Sequence, residues 1–128
     1  HTDNRRQRQM CIRDSLKYTG SANEIETFIK DLSVPYTAEC DEPGTNSFEW
    51  YLNKTANRAV LLENFIDSDA AVLRVKNLME SPVNESFQNL FEVIELCVLG
   101  DANPALLQIL EGWGPVYLNY SEGFNKRL

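Results

Sequence analysis

Two hydrophobic periods alternate along the chain, and the switches between them mark its elements. Leu16-Lys17-Tyr18-Thr19-Gly20 alternates apolar and polar and stops at Gly, which predicts the end of a strand. Ile25, Phe28, Ile29 and Leu32 then fall at i, i+3, i+4 and i+7, one face of a helix. Ser21 or Asn23 can cap that helix, with Glu24 and Glu26 in its first turn. Pro35 predicts either a kink or the first turn of a continuing helical segment with Tyr36, Ala38 and Cys40. Glu42-Pro43-Gly44 stops it.

Residues 46–53 return to period two. Phe48, Trp50 and Leu52 share one face, and Ser47, Glu49 and Tyr51 the other. After a polar turn at 54–58, residues 59–66 form a second strand. It has Ala59, Leu61, Glu63 and Phe65 on one side and Val60, Leu62, Asn64 and Ile66 on the other. The short connection predicts a hairpin, although no Asn-Gly or Asp-Gly pair marks the turn. Asp67-Ser68-Asp69 opens a helix with the stripe Ala71, Val72, Val75, Leu78 and Met79. Ser81-Pro82 opens a shorter one through Phe87, Leu90 and Phe91. Residues 93–99 read as a strand ended by Gly100-Asp101. Residues 103–112 read as a helix from Asn103-Pro104 to Gly112, and residues 115–120 as a last strand before a tail.

The order is β-α-β-β-α-β with an added C-terminal helix and strand, an α+β, ferredoxin-like pattern. Helices cover one face of such a sheet, so the other face needs a partner, and a second copy of the chain is the expected cover.

Composition narrows the function classes. The chain has 128 residues, 43% of them hydrophobic, and a net charge of −7. That suits one domain with a real core. The acidic balance argues against nucleic acid as partner. No apolar run is long enough to span a membrane, and a cytoplasmic protein is expected. Residues 1–15 differ from the rest: they hold Arg5, Arg6, Arg8 and Arg13 in an otherwise acidic chain. Residues 5–15 also have a continuous reverse translation that resembles a transposase-type sequencing adapter. Residues 1–15 are therefore expected to be a non-native segment, with one domain over 16–128 whose first strand is truncated. Setting them aside removes Cys11 and His1, the one histidine. Cys40 and Cys97 are expected to be free thiols, since no Cys-x-x-Cys or His accompanies them.

Several residues in order resemble the antibiotic-biosynthesis-monooxygenase-type family of dimeric α+β barrels. They are Glu42-Pro43-Gly44, the aromatic strand Phe48-Glu49-Trp50-Tyr51, the partner strand ending Leu62-Glu63-Asn64-Phe65, and Asp67-Ser68-Asp69-Ala70-Ala71. The resemblance covers residues 16–78 and extends loosely to Gly100-Asp101 and Gly123-Phe124. It implies a homodimer joined sheet to sheet, with a pocket between each sheet and its own helices. It also implies a cofactor-independent monooxygenase that uses dioxygen on a small aromatic or quinol-like substrate. The substrate itself is then the reductant, and the protein need only deprotonate it, orient it and exclude water. Many relatives carry a His on the second helix where this chain has Arg74. With His1 set aside, a His-ligated haem and a His base are both disfavoured, so no cofactor and no metal are expected.

Glu63 and Arg74 are the candidate catalytic residues. Glu63 can act as a base if burial raises its pKa, and Arg74 can hold a phenolate or peroxide anion by charge. Trp50, Tyr51, Asn64 and Asn77 are the candidate substrate-binding residues. Tyr51 and Glu63 are expected to share a sheet face. Each also has an ordinary structural role: Trp50 and Tyr51 as packing, Glu63 and Arg74 as an ion pair, and the two amides as solvated or capping groups. The alternative function is a non-catalytic small-molecule-binding or interaction module on the same fold.

Overall fold

The computed structural model describes residues 9–126. Five strands and five helices follow in the expected order: β1 (Met10–Tyr18), α1 (Ala22–Phe28), α2 (Val34–Glu39), β2 (Thr45–Asn53), β3 (Arg58–Phe65), α3 (Ser68–Met79), α4 (Pro82–Leu90), β4 (Phe91–Leu99), α5 (Pro104–Ile109) and β5 (Val116–Leu118). The sheet order is β2-β3-β1-β4-β5, antiparallel except for the β4–β5 pair. This is the α+β, ferredoxin-like arrangement with an added helix and edge strand.

Local chemistry places most boundaries. Ser21, Asp67, Ser81 and Asn103 each accept a backbone N–H of the following first turn, so four helices start at a side-chain cap. Between α1 and α2 the helix widens into a π segment, Ile29–Ser33. Pro35 then sits in the first turn of α2, so the chain continues helically past it. The β2–β3 turn closes without glycine. Asn53 Oδ1 accepts from Thr55 Oγ1 and the Ala56 N–H, and Asn57 takes the left-handed conformation at φ 55°.

The N-terminal boundary differs from the sequence expectation. β1 begins at Met10, with Met10 and Ile12 only 2% and 3% exposed, so the domain edge expected at residue 16 falls inside the central strand. Met10, Ile12, Leu16 and Tyr18 all face the helices, which continues the period-two pattern upstream of Leu16. Residues 1–8 lie outside the described residues. β4 likewise starts two residues earlier than expected, at Phe91, and carries an irregularity opposite Ser15 and Leu16.

The core divides into two clusters on the helix-covered face. One joins Met10, Ile12 and Phe65 to α3 and α5 through Ala71, Val75, Leu106 and Leu110. The other joins Leu16, Tyr18 and Ala59 to α1 and α4 through Ile25, Phe28, Val83 and Phe87, with Phe91 of β4. No helix among the described residues is long and apolar enough to cross a membrane.

Asn57 gives a direct test of the hairpin. Asn57→Ala should cost about 1 kcal/mol, because alanine keeps the β-carbon but lacks the polar side chain that lets Asn tolerate the left-handed region, whereas Asn57→Gly should be neutral or stabilising. Urea unfolding midpoints check both; equal loss in the two variants would show that the Asn side chain, not its backbone angle, holds the turn.

Candidate active site

A cavity of about 60 Å³ lies at the seam between the two core clusters. Its walls are mostly apolar, with Trp50, Leu61, Val75, Phe87, Leu110 and Trp113 among them. Against these stand the polar groups Glu63, Arg74, Asp14, Ser33 and Thr37. Strand register explains the selection. β2 and β3 pair Phe48 with Glu63 and Trp50 with Leu61, so those four side chains point at the helices together.

Register also separates two candidates from the rest. Tyr51 pairs with Val60 and Asn64 with Ser47, which puts both on the opposite face of the sheet. Tyr51 is 53% exposed there, and Asn64 Nδ2 donates to Ser47 Oγ at 2.8 Å. The expectation that Tyr51 shares a face with Glu63 is therefore corrected. Partners in this hairpin have opposite parity, so two odd-numbered residues on the two strands face opposite ways. The structure brings Trp50, Glu63 and Arg74 together at the cavity and holds Asn77 behind them.

Trp50 is fixed from both ends. Its indole Nε1 donates to Ser33 Oγ at 3.1 Å, and its ring stacks on Phe91 at 5.3 Å between centroids. Ser33 lies at the end of the π segment, so the irregular helix delivers the hydroxyl that orients the tryptophan.

Arg74 is 4% exposed and pairs with Glu42 Oε2 at 3.3 Å. The pair meets the distance of an ion pair, but Arg74 Nη1 has no hydrogen bond of good geometry. Its guanidinium lies 5.8 Å from the centroid of the Phe48 ring. Glu42, by contrast, is well satisfied. Its Oε2 also accepts from Asn77 Nδ2 at 2.7 Å, and its Oε1 accepts from Thr45 Oγ1 at 2.9 Å. Arg74 and Asn77 are one helical turn apart on α3, so a single carboxylate from the Glu42-Pro43-Gly44 stop grips that face of the helix. Sequence reading treated Glu42 as part of a helix stop. The signal that could have exposed it was its place beside two breakers, ahead of the aromatic strand.

Glu63 is 8% exposed, and burial drives its pKa well above the usual carboxylate range. The nearby Asp14 carboxylate raises it further, Arg74 partly opposes this, and Glu42 adds a smaller upward push. Asp14 is raised by burial as well. The cavity is thus lined by Arg74, compensated from behind by Glu42, and by two carboxyls whose pKa values are raised. Among the described residues no cluster of three or more His, Cys, Asp or Glu side chains is arranged to hold a metal ion, and Cys11, Cys40 and Cys97 are free thiols.

No protein-family model matches the chain, and no curated protein matches its sequence. Solved structures share its fold. The chain is similar to MupZ from Pseudomonas fluorescens, with 16% identity, a TM-score of 0.77, and 93% of this chain and 95% of MupZ covered. It is also similar to SnoaB, a cofactor-independent oxygenase from Streptomyces nogalater, with 14% identity, a TM-score of 0.58, and 75% and 95% covered. Rv0793 from Mycobacterium tuberculosis follows at 16% identity and a TM-score of 0.56, with 76% and 98% covered. At these identities the likeness establishes the fold, which is shared by oxygenase-type proteins, and leaves the chemistry to the site.

The raised pKa of Glu63 has a consequence for stability. The folded chain holds this proton to higher pH than the unfolded chain does. The stabilisation is therefore complete below the ordinary carboxylate range and is lost as pH rises through the raised folded-state value. Unfolding free energy should fall with pH over that interval. Glu63→Gln, which cannot ionise, should fall less steeply and exceed the parent at alkaline pH. Urea unfolding at a series of pH values measures this; identical slopes would show that Glu63 ionises freely.

Proposed function

We propose that the chain is a cofactor-independent monooxygenase acting on a small aromatic, quinol-like substrate. One observation carries the reading: Glu63 and Arg74, both buried, converge on a mostly apolar cavity walled by Trp50 and Phe87. The named activity of the similarly folded SnoaB supports it. All four residues lie beyond residue 15.

The chemistry follows from the side chains. A phenolic hydroxyl transfers its proton to the Glu63 carboxylate. A carboxylate with a raised pKa is a stronger base than an ordinary one, closer in strength to a phenolate. Arg74 holds the resulting oxyanion by charge, and the apolar walls keep water from competing for it. The electron-rich anion gives one electron to dioxygen, the two radicals combine at a hydrogen-bearing ring carbon, and the resulting peroxide takes back the proton from Glu63 to form a hydroperoxide. Loss of the carbon-bound proton and cleavage of the O–O bond release water and leave a carbonyl. For hydroquinone the sum is hydroquinone plus dioxygen to hydroxybenzoquinone plus water, with both electrons supplied by the substrate.

Oxygen uptake by metal-free protein with hydroquinone and 1,4-naphthohydroquinone tests this. Labelled dioxygen should place one atom in the product and one in water, and kcat/KM should rise with pH as Glu63 ionises. Arg74→Ala and Glu63→Gln should each lower kcat/KM by about 100-fold. Hydrogen peroxide in place of labelled product would mean simple oxidation of the quinol and overturn the reading. Saturable binding without oxygen uptake would favour the binding module. One feature supports that second reading: the charge of Arg74 is already matched by Glu42.

The same reading takes the protein to be a homodimer joined through the open face of the sheet. Across that face Arg13 stands between Leu62 and Cys97 in the row that ends at Val116, and Cys11 precedes Leu99 and Leu118 in the next. Val116 and Leu118 are 44% and 50% exposed in the single chain. The exposed apolar residues at the β4–β5 edge of this face favour a partner surface. Light scattering should give twice the chain mass at micromolar concentration, and Leu62→Glu should give the monomer mass. A monomeric parent would overturn this arrangement.

A further inference from the structure

We propose that Ser33 is a neutral hydrogen-bond donor of the cavity, that Trp50 sets its direction, and that it binds an acceptor oxygen of the ligand other than the one held by Arg74. The proposal rests on the site reading above and adds a residue to it. Ser33 is 2% exposed and lines the cavity. It ends the π segment Ile29–Ser33, where the Val34 N–H reaches back to the Ile29 carbonyl. Widened turns of this kind are frequent at functional sites.

The role of the hydroxyl follows from its partner. An indole N–H can only donate, so Ser33 Oγ is the acceptor in its 3.1 Å bond with Trp50 Nε1. A hydroxyl carries one proton, and this one must point away from the indole. Among the described residues no acceptor takes it, although a buried donor left unpaired is costly. The cavity borders it and is where an acceptor can stand. The Trp50 ring is itself held by its stack on Phe91, so the direction of the N–H is fixed. Accepting that N–H polarises the Ser33 hydroxyl and strengthens it as a donor. Thr37 also lines the cavity, but it is half-buried and borders an outer pocket of about 210 Å³, where water can satisfy its hydroxyl. Ser33 does not line that pocket.

The three polar groups then divide the work. Glu63 and Arg74 take an acidic hydroxyl and its anion, whereas Ser33 suits a neutral acceptor such as a carbonyl oxygen. In a phenol conjugated to a carbonyl, loss of the phenolic proton moves negative charge onto the carbonyl oxygen. The Ser33 bond therefore strengthens as Glu63 takes the proton, and favours the ionised ligand.

Two phenols of similar shape, 4-hydroxyacetophenone and 4-ethylphenol, test this, since they differ by one acceptor oxygen. By calorimetry, Ser33→Ala should weaken the ketone by about tenfold relative to the ethyl compound. The infrared carbonyl stretch of the bound ketone should rise in Ser33→Ala, and Ser33→Thr, which keeps the hydroxyl, should restore both readings. Trp50→Phe keeps Ser33 but removes the N–H, and should lose part of the preference. Equal weakening of both probes in Ser33→Ala would show that Ser33 only braces Trp50. Loss of the preference in Thr37→Val alone would move the donor to Thr37. Either result overturns the proposal, as does a carbonyl stretch in the parent equal to that of the ketone in hexane, a reading that needs no variant to fold. Failure of both probes to bind the parent would overturn the site reading and this proposal with it, whereas failure of oxygen uptake bears on the monooxygenase reading alone.

Discussion

The buried contact between Glu42 and Arg74 is the constraint on which the site depends. Both side chains are removed from water, at 3% and 4% exposure, so each charge is compensated chiefly by the other. Removing one partner of such a pair typically costs about 3–5 kcal/mol, because the remaining charge is stranded. Glu42 meets its share with three partners from two elements, Arg74 and Asn77 on α3 and Thr45 on β2. The stop after α2 is thereby pinned to the middle of α3, and the guanidinium is held beside the cavity and the Phe48 ring. Arg74 Nη1, the nitrogen nearest Glu42, makes no well-formed hydrogen bond.

The placement of the cavity follows from how the core is built. A sheet covered on one face must put its packing residues and its site on the same side. Here the apolar residues gather into two clusters, and the interval between them carries the ionisable groups. Low dielectric at that seam does two things. It makes the Glu42–Arg74 attraction strong, and it makes a second negative charge expensive, so Glu63 holds its proton into the alkaline range. Burying these groups costs stability relative to an apolar seam.

Much of the architecture was legible in the chain. The helix caps Ser21, Asp67, Ser81 and Asn103 are local signals, because each side chain bonds a backbone N–H two or three residues away. The strand faces of β2 and β3 followed from period-two alternation. Glu63, Arg74 and Trp50 could be named from a family resemblance and from the chemistry of their side chains. Legibility ended where partners were distant. Glu42 and Asn77 are 35 residues apart, and Trp50 and Ser33 are 17 apart, and no local pattern announces either bond. Alternation separates Tyr51 from Trp50 but does not say which of them shares a face with Glu63, because hairpin register depends on the turn, and this turn closes through Asn53 and Asn57 rather than a standard two-residue signal.

The sequence by itself therefore determined the element order, the α+β class, the caps and the inward faces of most strands. All of these depend on residues within a few positions of one another. Only the tertiary structure decided which polar residues share the cavity, that Glu42 shields Arg74, that Tyr51 and Asn64 lie on the far face, and that Met10 and Ile12 belong to the core. Those outcomes depend on strand register and helix packing. They are set by the fit of whole elements to one another, which no local stretch of sequence encodes.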